Sequence, residues 1–220
     1  MLCSEGLSLN TKIKLKMEKN RNKKLLNHLN SYKKKLNNLL EEIIEKDLET
    51  AISAIISAMT NGNTIWFCGN GGSAATASHM QVDFGYFVRY FSKRRPKVRA
   101  LTDCTPIMTA IGNDNNYDAV FTEQMQDNFE AGDVIICISA SGNSMNVVNA
   151  AQYATSLGGK SIALVGFDGG KLKNVADIAI FTPNPTGDYG PIEDLHTILM
   201  HLMVSYLEQD DEYMNFANPA

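Results

Sequence analysis

Two stretches rich in Gly, Ser and Asn carry the first chemistry: Phe67-Cys-Gly-Asn-Gly-Gly-Ser-Ala-Ala-Thr-Ala-Ser-His79 and Ile138-Ser-Ala-Ser-Gly-Asn-Ser-Met-Asn146. Small residues let a backbone approach an anion, several amide N–H groups can converge on it, and a helix starting just beyond adds its positive end. Phosphate is the guest such loops fit. The glycines of the first stretch, Gly69, Gly71 and Gly72, lack the G-x-G-x-x-G dinucleotide spacing, and no Walker lysine follows either loop, which disfavours nucleotide hydrolysis.

The chain has four histidines, of which His28 stands apart. His79 and Asp83 are four residues apart, so on a helix they share one face about 6 Å from each other, a spacing suited to holding one metal ion or sharing one proton. A later segment offers Glu193, Asp194, His196 and His201. One such His–Asp pair alone is a common surface pairing. Two clusters beside two phosphate-type loops favour a working site.

The elements that must position these residues are legible as alternating strands and helices. Leu and Ile recur at helical spacing from about Leu25 to Met59, giving one or two helices. Strands are expected at Thr64–Cys68, Val98–Leu101, Asp133–Ile138, Ser161–Val165 and Asp177–Phe181. Helices are expected over Ser73–Tyr90, Pro106–Ile111, Val147–Leu157 and from the Thr182–Gly190 loop to Glu208. This alternation predicts an α/β fold with a parallel sheet covered on both faces, whose ligands gather at the carboxyl ends of the strands.

Composition bounds the rest. At 220 residues, 44% hydrophobic and 20% charged, the chain has the balance of one globular domain, which excludes collagen-like, mucin-like and wholly disordered readings. The net charge of -4 conceals an asymmetry: ten of the 20 Lys and Arg fall between Lys12 and Lys35, against only Glu5 and Glu18 before residue 36. The remainder, with ten basic and 22 acidic residues, carries -12. We therefore divide the chain into a basic arm, 1–35, and a domain, 36–220. The arm lacks the aromatic interleaving of a nucleic-acid reader and is expected as a solvated helix entry. No nucleic-acid or membrane partner is expected, and with no bilayer-spanning run or signal peptide the expected location is cytoplasmic. Cys3, Cys68, Cys104 and Cys137 lack metal-ligand spacing; Cys68 and Cys137 are expected as reduced core thiols.

Five runs together resemble one family: Gly-Asn-Gly-Gly-Ser-Ala-Ala-Thr-Ala-Ser-His at 69–79, Leu-Thr-Asp and Thr-Ala-Ile-Gly-Asn-Asp between 101 and 114, Ile-Ser-Ala-Ser-Gly-Asn-Ser at 138–144, Gly-Phe-Asp-Gly-Gly at 166–170, and Glu-Asp-Leu-His with His201. They are similar, in order and spacing from about Leu36 to Glu208, to the phosphoheptose isomerase (sedoheptulose 7-phosphate isomerase) family of the SIS, or sugar isomerase, fold. The resemblance implies a flavodoxin-like three-layer sandwich with an N-terminal helical extension. It implies a homotetramer with zinc sites between subunits, interconverting sedoheptulose 7-phosphate and D-glycero-D-manno-heptose 7-phosphate for surface polysaccharide. By position it implies that Ser73, Ser139, Ser141 and Ser144 hold the phosphate, with Asn70 and Asp103 near the sugar. Gly71, Gly72, Asn113, Asp114, Asn143 and Glu193 complete the implied substrate contacts. It places one zinc on His79, Asp83, Glu193 and His201, with Asp83 as base and His201 as acid.

Two positions depart from the family pattern: its Glu is Asp83, and its Gln is Glu193. An acid shorter by one methylene and misplaced by about 1 Å costs on the order of 10²-fold unless the helix moves inward. A second carboxylate binds a divalent ion more tightly and leaves it a weaker Lewis acid. Glu193 and His201 also lie about 80° apart on a helical wheel, whereas Asp194 and His201 nearly coincide, so Asp194 is held in reserve. His196 is expected as a supporting or interface residue, Asp168 as a turn former, and Met200, Met203 and Tyr206 as core or oligomer interface. The alternative reading is a non-catalytic sugar-phosphate-binding or initiator-binding module of the same fold, or an isomerase of another sugar phosphate. An isomerase loses turnover with chelator and with His201→Ala, whereas a sensor keeps its ligand through both.

Overall fold

The computed structural model of the chain describes residues 9–219, with side chains from residue 16 onward. Five parallel strands form one sheet: β1 (Thr64–Gly69), β2 (Lys97–Ala100), β3 (Val134–Ser139), β4 (Lys160–Val165) and β5 (Ile178–Phe181), in the order β2-β1-β3-β4-β5. β1, β3 and β4 are apolar at nearly every position because both faces are covered. Ile65, Phe67, Ile136, Ile138, Ile162 and Leu164 enter one core, and Trp66, Cys68, Ile135, Cys137, Ala163 and Val165 enter the other. All five expected strands are present, with ends shifted by about a residue.

On the first face lie α2 (Glu45–Thr60), α3 (Gly72–Gly85), α8 (Tyr189–Leu207) and α9 (Asp211–Ala217). The second face carries α5 (Thr122–Met125), α6 (Met145–Ser156) and α7 (Leu172–Val175), with α4 (Thr105–Asp114) at its edge and no fully buried residue of its own. Below β1 and β3, the buried Asp133 carboxylate accepts from Thr64 N at 2.8 Å, Trp66 Nε1 at 2.9 Å and Glu130 N at 3.1 Å. These bonds fix the lower ends of both central strands. Cys68 and Cys137 face each other across that pair as free buried thiols, and burial together with the Cys137 hydrogen bond pushes the Cys68 thiol well up. Cys3 lies outside the described residues.

α1 (Leu9–Glu41) runs through positions 35 and 36 without a break, so the change in charge there is not a change in structure. Residues 1–8 of the arm lie outside the described residues. From residue 16 to Ser31 the helix is exposed on every side; it meets the body only from Tyr32 onward, where Leu39 is buried. Lys35 Nζ pairs with Asp188 Oδ2 at 2.7 Å, and Tyr32 donates its hydroxyl to Asp194. That hydrogen bond, then burial, pushes Tyr32 up to about 12. No helix among the described residues is long and apolar enough to cross a membrane.

Candidate active site

The strand order reverses between β1 and β3, since the chain steps outward to β2 and then returns beside β1. Ligands of open parallel sheets gather at such a switch point, at the carboxyl ends of the strands. Both Gly- and Ser-rich loops lie there. They line a cavity of roughly 250 Å³ with Asn70, Gly71, Gly72, Ser73, Ser139, Ser141, Ser144 and Glu193, as the sequence led us to expect, and with Tyr189, which it did not. α3 starts at Gly72 behind a Gly71 with φ 56°, and α6 starts one residue after Ser144. Two helix N-termini and their free amides therefore open toward one cavity.

The walls are held from outside. Asn70 and the buried Asn146 exchange side-chain amide hydrogen bonds of 2.8 and 2.9 Å, and Tyr117 donates to Asn70 Oδ1 at 3.0 Å. Asn143 does not line the cavity; it braces the loop by donating from its backbone to Ser141 Oγ at 3.2 Å and from Nδ2 to Ser141 O at 3.0 Å. Gly142, at φ 62°, lies against the Gly169 carbonyl so closely that no Cβ fits. Asp168 accepts from Gly170 N at 3.1 Å, shaping the turn that presses on it.

α3 and α8 form a second feature running away from the cavity. Thr76 and Thr197 hydroxyls meet at 3.2 Å along this seam. Farther along, the buried Asp83 stands between two half-exposed imidazoles, with Oδ2 3.4 Å from His79 Nε2 and 3.3 Å from His201 Nε2. The rings meet edge to face with centroids 5.0 Å apart. Their three donor atoms lie within 4.8 Å of one another. Two imidazoles and one carboxylate converging this closely fit a divalent metal ion and leave room for an outside ligand.

The other expected site residues do not join this cluster. The Glu193 carboxylate lies against Gly72 at the cavity, and Asp194 turns to Tyr32 on α1. His196 is 1% exposed, and neither ring nitrogen has a hydrogen-bond partner among the described residues. Burial alone drives its pKa down to about 3, so it is a neutral core group. Asp103 lies in a separate, larger cavity of roughly 570 Å³ with Arg99 and Cys104, and accepts from Gln81 Nε2 at 2.6 Å. Asn113 and Asp114 are exposed at the end of α4 and bond to each other at 2.8 Å. Met200 and Met203 are core, while Tyr206 remains 42% exposed.

Comparison with known proteins agrees with this geometry. The SIS domain family model matches residues 31–166. A phosphoheptose isomerase of Aliarcobacter butzleri is 40% identical over 171 residues, 77% of this chain and 88% of the relative. One of Helicobacter pylori strain P12 is 34% identical over 193 residues, 88% of this chain and 96% of the relative. The solved structure of the phosphoheptose isomerase GmhA from Neisseria gonorrhoeae superposes with a TM-score of 0.77 at 31% identity, covering 86% of this chain and 99% of that one. With its phosphate-type loops at the switch point and its His–Asp–His seam, the chain belongs to the SIS domain family and, within it, to the phosphoheptose isomerases.

Proposed function

We propose that the protein is a metal-assisted aldose–ketose isomerase that interconverts sedoheptulose 7-phosphate and D-glycero-D-manno-heptose 7-phosphate. The observation that carries this reading is the placement of the His79–Asp83–His201 cluster on the same helix seam as the phosphate-type cavity. Glu193 at one end and His201 at the other are about 12 Å apart along the axis of α8. An extended seven-carbon chain with a terminal phosphate covers that span, and a three-carbon one does not.

In this reading Ser73, Ser139, Ser141 and Ser144, with the amides that open α3 and α6, hold the phosphate, and Asn70 orients the adjoining sugar. Asp83 takes the proton from C2 of the aldose and returns it to C1, while His201 passes protons between O1 and O2. Zinc held by His79, Asp83 and His201 would supply Lewis-acid polarisation of the substrate oxygens, while Glu193, which the resemblance places in the metal set, lies apart from these three at the cavity. One such site belongs to each subunit of a homotetramer. Self-association draws support from the exposed leucines Leu25, Leu26 and Leu29 on the part of α1 that stands clear of the body. The product would serve heptose synthesis for surface polysaccharide in the cytoplasm, a compartment that suits the free thiols Cys68 and Cys137.

The test is NMR of the anomeric region during incubation of the purified protein with sedoheptulose 7-phosphate, with zinc and with chelator. Zinc-dependent interconversion that disappears in His201→Ala is expected. Tight sugar-phosphate binding without turnover in either condition would replace this reading with a binding module.

A further inference from the structure

Two sides of the cavity at the switch point are the donor-rich loops that follow β1 and β3. The third side is the first turn of α8, which contributes Tyr189 and Glu193. No Lys, Arg or His is among the lining residues, so within this chain an anion there is held by amide and hydroxyl dipoles. Such dipoles hold charge well only where water is kept out. Glu193 is itself an acid and repels the guest, which leaves Tyr189, the one aromatic side chain of the lining, to close this side.

The chain fixes that ring with more structure than a surface tyrosine needs. Tyr189 is half-exposed, and its ring meets that of the buried Phe167 edge to face, with centroids 4.9 Å apart. Phe167 sits at φ 48°, a left-handed conformation that residues other than glycine rarely adopt. Asn184 ties the two together: its Oδ1 accepts from Phe167 N at 2.8 Å, and its Nδ2 donates to the carbonyl of Asp188, the residue before Tyr189, at 2.9 Å. Lys35 in turn pairs with the Asp188 carboxylate at 2.7 Å. A strained backbone persists only where its surroundings over-determine it, and here the strained turn supports an aromatic ring at the anion cavity.

We infer that Tyr189 is a substrate-binding residue whose ring, seated on Phe167, walls the phosphate cavity against water and so strengthens the hydrogen bonds that the loops give the phosphate. The inference rests on the cradle reading proposed above and adds to it a residue that neither glycine-rich loop contains. Tyr189 stands about one turn before Glu193 on α8, and His201 about two turns beyond it, so the ring closes the end of the seam away from the His–Asp–His cluster. It therefore acts on phosphate binding and leaves the proton transfers at Asp83 and His201 untouched.

The zinc-loaded protein, freed of excess metal, is titrated with inorganic phosphate in a calorimeter, and its turnover of sedoheptulose 7-phosphate is measured beside it. Tyr189→Ala, Tyr189→Phe and Ser139→Ala are compared with the wild type once thermal unfolding has shown each to be folded. Tyr189→Ala is expected to weaken phosphate binding and to raise KM, each by about tenfold, with kcat within about twofold of wild type. Tyr189→Phe keeps the ring and is expected to bind phosphate as the wild type does. Phosphate affinity that falls in Ser139→Ala but is unchanged in Tyr189→Ala would overturn the wall and leave the cradle standing. An equal loss in Tyr189→Phe would overturn the wall as well, by assigning the effect to the hydroxyl. The expected phosphate pattern without any turnover would uphold the wall and remove only the isomerase reading. Phosphate binding that is absent from the wild type, or indifferent to Ser139, would remove the cradle and the wall together.

Discussion

The two ends of the α3–α8 seam are made of different materials. The end to which we assign the phosphate consists of backbone amides, hydroxyls and glycines on loops anchored by the two central strands, with an amide pair and an interlocked Gly142–Gly169 contact behind them. The other end consists of three side chains on two helix faces, joined by Asp83. A loop pinned by a sheet is placed by local sequence. A cluster shared between helices is placed by how one helix is rotated against the other. Binding and chemistry should therefore fail separately when the ends are altered one at a time.

The largest effect is expected at the helix end. His201→Ala should lower turnover by roughly 10³-fold, the usual scale for removing a general acid–base group. Phosphate affinity in the same variant should stay within about twofold, because the ends are too far apart to couple strongly. Loss of both together would mean that the seam acts as one unit.

The stretch of α8 between the ends supplies the next test. His196 has a folded pKa of about 3 against an ordinary 6.5, so below pH 6.5 the unfolded chain takes up a proton that the folded chain refuses. Its contribution to stability is intact above pH 6.5 and is lost as pH falls toward 3, amounting to about 3 kcal/mol by pH 4. Urea unfolding across that range should show this acid limb in the wild type and a flatter one in His196→Leu.

At the phosphate end, Gly142→Ala meets the Gly169 carbonyl at a positive φ. It should cost about 2 kcal/mol in thermal or urea unfolding and raise KM more than it lowers kcat. The smallest effect belongs to Tyr117→Phe, which removes one hydrogen bond to Asn70; a KM rise of about threefold with kcat unchanged is expected from steady-state kinetics. A kcat loss in either variant would merge the two ends that the structure separates.

The same division explains what could be read in the sequence. The apolar runs of β1, β3 and β4 and the loops that follow them are contiguous, so the sheet, its direction and most of the cavity lining were legible. β2 is only four residues long, and its Val98 and Ala100 gave a weaker signal. The short α5 and α7 are a single turn each and have no period to detect, and α9 follows a brief break after α8. Helical spacing brought out His79 and Asp83 and the resemblance joined His201 to them, but spacing could not rank Glu193 against Asp194. Their destinations, Gly72 and Tyr32, depend on how α8 rotates between α3 and α1. Tyr189 and the bracing of Asn70 by Asn146 and Tyr117 were missed; the Asn two residues beyond Ser144, in the first turn of α6, was the one available hint. The continuous α1 was equally hidden, because its basic, solvent-facing residues give helical propensity without a buried stripe.

Trp66, the single tryptophan of the chain, packs beneath the second face of the sheet, opposite α3 and α8, with its indole N–H bound to Asp133. Its fluorescence is thus an optical gauge of the sheet alone: emission should hold steady while ligands come and go at the helix seam, and shift to the red only when the strands themselves part.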